Sequence, residues 1–295
     1  MSKVVYGLPS VESLSLPEKI HRAAVKAVFD YEQGIQVRVK DKDEMEKIAS
    51  AHGCDIGRIT VMKCVWDNEY IKHFARIIRQ AGSMYRALTL PWDKEGNIVP
   101  NSRVEELRDK LTEYQTEFFI KADEFTHQQT YERLRDEEKQ KLGTLWKPED
   151  YPSHEEARAG FKFDFQFRSL DPEDPRYFEG DTVSMVTEHL SEAYDERWKN
   201  ILLDIGGRVA EGLKRLSECI MNGEPSEESI EEVMTLSKLL PDLNLIGDPS
   251  LDEMQKELTN VVHPETRKTE NAQEKTLVAA NKMLDKLSGI YGAAS

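Results

Sequence analysis

The sequence predicts a mainly α protein: an elongated bundle of long helices, with a small α/β unit near the N-terminus and a short aromatic strand region further on. Three observations lead there. Apolar residues recur at steps of three and four over two very long stretches, 104–141 and 182–221, the spacing of a buried helix face. Residues 161–167 switch to strict alternation, with Phe161, Phe163, Phe165 and Phe167 on one side and Lys162, Asp164 and Gln166 on the other. Charged residues make up 32% of the chain and hydrophobic ones 39%, a helix-leaning composition with too much apolar content for wholesale disorder.

Taken in order, Leu16-Pro17-Glu18 opens a helix, because a proline in the first turn gives up no hydrogen bond. Ile20, Ala23, Ala24, Val28 and Phe29 extend that helix to about four turns. Ile35, Val37 and Val39 alternate as a half-buried strand, a short helix runs from Met45 to Ala51, and Arg58 to Val65 forms a second strand. Residues 1–66 thus form the small α/β unit. Segment 67–170, a long helical hairpin plus the aromatic strand, and segment 171–295, a helical region, follow it as further domains.

Ile71, Phe74, Ile78, Ala81 and Tyr85 mark one face of the next helix. The stretch Leu90-Pro91-Trp92-Asp93-Lys94-Glu95-Gly96-Asn97 reads as a helical hairpin corner, with Leu90 and Trp92 packed over the junction. Ser102 with Glu105 suits a capping box. The helix it opens carries Val104, Leu107, Leu111, Tyr114, Phe118, Ala122 and Phe125, and continues unbroken to Lys141, where Gly143 stops it. Ser153 with Glu156 caps a short helix before the aromatic strand. The acidic, proline-rich run from Asp171 to Asp181 is a turn or linker. The helix 182–221 contains the pair Gly206-Gly207, which a kink or a close helix crossing would explain. Shorter helices begin near Ser226, Ser250 and Glu265. The long helices are expected to meet in coiled-coil fashion.

Chemistry is sparse. Neither a glycine-rich phosphate loop nor a nucleophile elbow occurs, so no cofactor is expected and the chain is not expected to be an enzyme. Asp123, Glu124 and His127 are neighbours at helical spacing, as are Glu188, His189 and Glu192, yet a carboxylate-bridged centre needs two such motifs and further glutamates. Surface side chains are the expectation there, and no metal. Cys54, Cys64 and Cys219 are widely spaced and suit a reduced, cytoplasmic protein; Cys54 and Cys64 could be a redox or zinc pair, but without further ligands at metal spacing they are expected to be buried single thiols. No apolar run is long enough to span a bilayer, so no membrane partner is expected.

A net charge of −15 argues against coating nucleic acid over the whole surface. The charge is uneven, however: Lys72, Arg76, Arg79 and Arg86 share one helix face in a stretch without acids. With Tyr70 and Tyr85 nearby for stacking, that face could meet phosphates, or it could dock on an acidic protein surface. The expected partner-binding residues are therefore Lys72, Arg76, Arg79, Arg86, Trp92, Phe161, Phe163, Phe165 and Phe167. The four phenylalanines are included because something must cover them, either the helices or another chain.

Trp92 with its turn, the long aromatic helix, Leu142-Gly143 and the segment from Asp150 to Phe167 (DYPSHEEARAGFKFDFQF) resemble a family of uncharacterised phage and mobile-element proteins known only as a domain of unknown function. The likeness covers about Val37 to Leu170. Members accompany genes for MoxR-type AAA+ ATPases and von Willebrand A-domain proteins. That implies an accessory subunit in the host cytoplasm, and it defines no catalytic residues. The expected function is a non-enzymatic interaction protein, either accessory to an ATPase complex or an inhibitor of a host defence complex, with homo-oligomerisation an option. The alternative is a nucleic-acid accessory factor in phage DNA metabolism using the basic face 72–86. A third reading is a hydrolase whose metal site is assembled from scattered His, Asp and Glu.

Overall fold

The computed structural model describes residues 14–170, 181–223, 226–262, 266 and 268–291, with backbone alone at 181–190 and 290–291. The expected linker at 171–180 and the side chains of Glu188 and His189 lie outside these residues. As the sequence predicts, the chain is mainly α. It divides into two compact units that interleave along the sequence: 1–28, 88–105 and 167–295 in the first, 29–87 and 106–166 in the second.

In the first unit, α7 (Asp181–Met221) is the spine. Helices α1 (Leu16–Ala23), α8 (Glu227–Leu243) and α10 (Glu270–Tyr291) pack on it, and α9 (Pro249–Val261) packs on α8 and α10. The face it buries is the one the sequence marks: Tyr194, Ile201, Ile205, Val209, Leu213, Leu216 and Ile220. α7 is continuous through Gly206-Gly207, and a methyl group on Gly207 would meet nothing within 4 Å. The close crossing comes instead at Gly212, where an added Cβ would lie 3.1 Å from Leu236 of α8.

The four-turn helix expected from Leu16 is shorter. Ser15 and Glu18 form a capping box and α1 ends at Ala23, after which Ala24 is extended (φ −145°). Strand β1 (Ala24–Glu32) then begins. Its apolar residues fit either period, and the ladder decides. Ala24 to Ala27 pair antiparallel with Pro100 to Asn97 of β5 (Gly96–Pro100). β5 in turn pairs with β4 (Leu90–Asp93), with a bulge between Pro91 and Asp93. The stretch expected to be a helical corner is therefore a β-hairpin lying against α7. Gly96 has a backbone reason: a Cβ there would sit 2.5 Å from the Ala27 carbonyl oxygen.

Lys26, 5% exposed, locks the hairpin by donating to Asp93 (2.8 Å) and Glu95 (2.9 Å). Burial pushes the Asp93 carboxyl up, but the Lys26 ammonium and the backbone N–H groups of Glu95 and Gly96 outweigh it and hold the group below its ordinary 3.8. A carboxylate depressed in the folded state adds stability above its unfolded pKa and loses it as pH falls through the folded value. Asp93→Asn should therefore unfold at lower temperature than wild type near neutral pH. The gap should close as pH drops below about 4, as read by thermal melts across that range.

Of the stretch 1–66 expected as one small α/β unit, residues 1–28 belong to the first unit, and the second holds the remainder: β2 (Arg38–Lys40) pairs antiparallel with β3 (Met62–Cys64), with α2 (Lys42–His52) between them. Asp41 caps α2 by accepting from the Glu44 N–H, and Gly53 ends it in the left-handed region (φ 61°). Buried Lys63 donates to the Leu145 carbonyl (2.9 Å) and makes ion pairs with Asp150 (2.6 Å) and Asp41 (3.7 Å). The bulk of the unit is α3 (Glu69–Leu88), α4 (Val104–Thr126), α5 (Gln128–Leu142), α6 (His154–Gly160) and β6 (Lys162–Arg168). Most of their residues belong to it.

The single helix expected over 104–141 is two helices, broken at His127, whose ψ of 126° leaves the helical region. The break has a packing cause. Phe125 and Tyr131 both lie 5.2 Å from buried Trp66, measured between ring centroids, and six positions apart on an unbroken helix they would point about 120° apart. Tyr151 closes the cluster at 5.0 Å and donates its hydroxyl to the Val65 carbonyl. Before α4, Ser102 does not form the expected capping box; its hydroxyl donates to Asp242 (2.8 Å), which Arg103 also grips. The box at Ser153 and Glu156 forms as predicted.

Candidate functional site

The expected partner-binding residues separate into two groups. Trp92 is 7% exposed in the first unit; Tyr194 meets it edge-on at 5.2 Å and the Arg197 guanidinium lies 4.7 Å over its ring. Phe161 and Phe163 are equally core residues. Phe161 packs on Phe74 (4.9 Å), Phe118 and Phe125, and Phe163 on Phe29 (5.0 Å) and Phe118. Phe165 and Phe167 are half-buried. Of the two covers the sequence allowed for this aromatic face, Phe161 and Phe163 have found the intramolecular one.

The basic face of α3 is different. One side of the helix is sealed, with Phe74, Ile77 and Ala81 fully buried. The other presents Lys72, Arg79 and Arg86 to solvent, interspersed with exposed Ala75, Ser83 and Ala87. Lys72 reaches back to Glu69 (2.8 Å), a fully exposed pair that spends little of its charge. Arg76, half-buried, has a partner within the unit. It donates to Glu117 of α4 (2.6 Å), which His73 also meets at 2.9 Å. Burial pushes the Glu117 carboxyl up, yet Arg76 and then His73 prevail and hold it low. The two tyrosines expected to stack on bases are half-buried and already pack within the unit: Tyr70 lies against Phe125 (5.6 Å) and Tyr85 against Phe29 (5.6 Å).

A second feature of this unit was only half visible in the sequence. At the α4–α5 break an open cleft of about 440 Å³ is lined by Asp123, Thr126 and His127 on one side and His154, Glu155 and Arg158 on the other. Sequence spacing offered Asp123 and His127; α6 adds His154 and Arg158. Glu124 is turned to Lys121 instead (2.6 Å). Asp123 holds Arg158 at 2.5 Å, His154 lies 3.9 Å from Glu155, and the Thr126 hydroxyl donates to the Ala122 carbonyl. It offers two imidazoles, with no serine or cysteine among the lining residues.

Among the described residues, no group of three or more His, Cys, Asp or Glu is arranged to hold a metal ion. Cys54 and Cys64, expected to be buried, are exposed; their stretch of chain lies on the outside of the small α/β element, where Ala49 and Lys63 take the buried positions. No helix among the described residues is long and apolar enough to cross a membrane. No protein-family model matches the chain, and no curated protein or solved structure matches it either.

Proposed function

We propose that this protein works by binding another protein through the exposed face of α3, and not by turning over a substrate. One observation carries the reading. Lys72, Arg79 and Arg86 stand on a helix whose opposite face is locked in the core, while the tyrosines that nucleic-acid binding would use for stacking are half-buried and already pack on aromatic rings of the same unit. Small side chains between the cations leave the face flat enough for an acidic helix to approach closely. Such a surface steers association and fixes register more than it adds raw affinity. The resemblance over 37–170 supports placing the partner in an ATPase complex of the AAA+ and von Willebrand A-domain kind, or in a host defence complex, with the chain an accessory or inhibitory subunit of phage or mobile-element origin.

Arg79→Glu combined with Arg86→Glu should leave folding intact, since both side chains are exposed, and should weaken partner binding at least about tenfold. The nucleic-acid reading is tested on the same pair. Oligonucleotide binding at low salt, lost in the double variant and steeply salt-dependent in wild type, would favour it over protein docking.

A further inference from the structure

The first unit carries a groove of a different chemistry. Between α8 and α9 lies an open hollow of about 460 Å³, lined by Ile230, Met234 and Pro241 on one side and Leu258 and Val262 on the other. Met234 is 44% exposed there, and a flexible thioether on an open apolar surface adapts to many apolar shapes. The polar part of the lining is Lys238, Gln255, Thr266 and the pair Ser237 and Thr259, whose hydroxyls meet at 2.7 Å. Pro241 has no N–H to return to the Ser237 carbonyl one turn earlier, which leaves an acceptor in the same region of α8.

Beyond its lining, acidic side chains flank the hollow at both ends, three of them against the one lining cation, Lys238. Glu227 and Glu231 lie on the same row of α8 as Met234, Lys238 and Pro241, at helical spacing, and both are exposed. On α9, exposed Asp252 shares a row with Gln255, Thr259 and Val262 and sits at the opposite end, where Asn244 at the close of α8 donates to it (2.9 Å). From Glu231 to Pro241 the row is about 15 Å long, the span of roughly ten helical residues.

We infer that this groove receives an amphipathic helix of a partner protein, with large aliphatic residues on the face that enters the hollow and lysine or arginine at both of its ends. Helix-in-groove docking uses this combination of an apolar trough and complementary charge at the rim. The site goes beyond the basic face of α3 and asks for the opposite charge, so the two would bind different partners. Reversing Arg79 and Arg86 should leave it untouched.

The probe is a fluorescein-labelled helical peptide with a leucine stripe and lysines at both ends, beside a twin with glutamates in place of the lysines. Both are titrated against the full chain by anisotropy. The lysine peptide should bind, and the glutamate twin should bind at least about tenfold more weakly. Met234→Asp makes the protein more negative, so simple attraction of a cation to an acidic surface would strengthen. Binding in the groove predicts the reverse, a loss of at least about tenfold. Exposed Glu231→Lys should weaken binding and flatten its salt dependence without disturbing the fold. Equal binding of the two peptides, or Met234→Asp that binds as well as wild type, would overturn the inference. So would a protein that sediments as a dimer and becomes monomeric with Met234→Asp, since the occupant would then be a second copy.

Discussion

Lys63→Met should cost about 3–5 kcal/mol of folding stability, the range for stripping one partner from a buried ion pair. Its side chain is 4% exposed, and those of Asp150 and Asp41 are 8% and 2%. Methionine keeps the volume and removes the charge, which leaves two carboxylates in a site with little water. Lys147 is the nearest remaining cation to Asp41, at 3.9 Å, and it is already held by Asp43 (2.5 Å). Asp41 also caps α2, so the loss should spread into the small α/β element. Urea unfolding should show the midpoint falling with the slope unchanged. Adding Asp150→Asn to Lys63→Met should recover part of the loss, because it removes one of the stranded charges. A loss below about 1 kcal/mol would mean that water reaches these groups and the network is not buried.

Gly34→Ala is expected to be nearly as damaging, about 3 kcal/mol, at the upper end of overpacking costs. A Cβ on Gly34 would lie 1.8 Å from the Ala157 carbonyl oxygen and 2.9 Å from the Gly160 carbonyl carbon. Both obstacles are backbone, so no rotamer change relieves them. The reciprocal contact is almost as tight, with a Cβ on Gly160 lying 2.7 Å from the Gly34 Cα. The displaced element would be α6, which carries His154 and Arg158 into the cleft and feeds Phe161 into the aromatic core. Gly57→Ala is the control, since its Cβ would meet only its neighbour Asp55, no nearer than 3.4 Å. Thermal melts should separate the two by many degrees.

Where the sequence was legible, one physical signal dominated. The apolar row of α7 repeats at a single period for many turns, and those residues are the ones buried. The strand at 162–168 announced itself by alternation. The failures come where two signals compete or where the partner is far away in sequence. Ala24 to Phe29 fits a helical face as well as a strand, and only pairing with β5 decides. Nothing between Phe125 and Tyr131 breaks a helix by propensity; the break exists because both rings must reach Trp66. Trp92 sits beside a charged turn and reads as a tip, but its cover is Tyr194, a hundred positions on. The basic face of α3 was legible as charge and spacing. The withdrawal of Arg76 was not, because Glu117 stands on another helix. The His127 cleft was hidden for the same reason, since Asp123 and His127 look like solvated helix residues until α6 is brought beside them.

The central claim is that the exposed cations of α3 dock on a protein. Its most direct measurement uses the wild-type chain and the Arg79→Glu/Arg86→Glu variant as baits in nuclease-treated cell extract. Any protein enriched by wild type is then purified and titrated against both. The account predicts enrichment that survives nuclease, and at least about tenfold weaker binding of the purified partner to the variant. A partner that binds both chains equally, or an enrichment that nuclease abolishes, would contradict it.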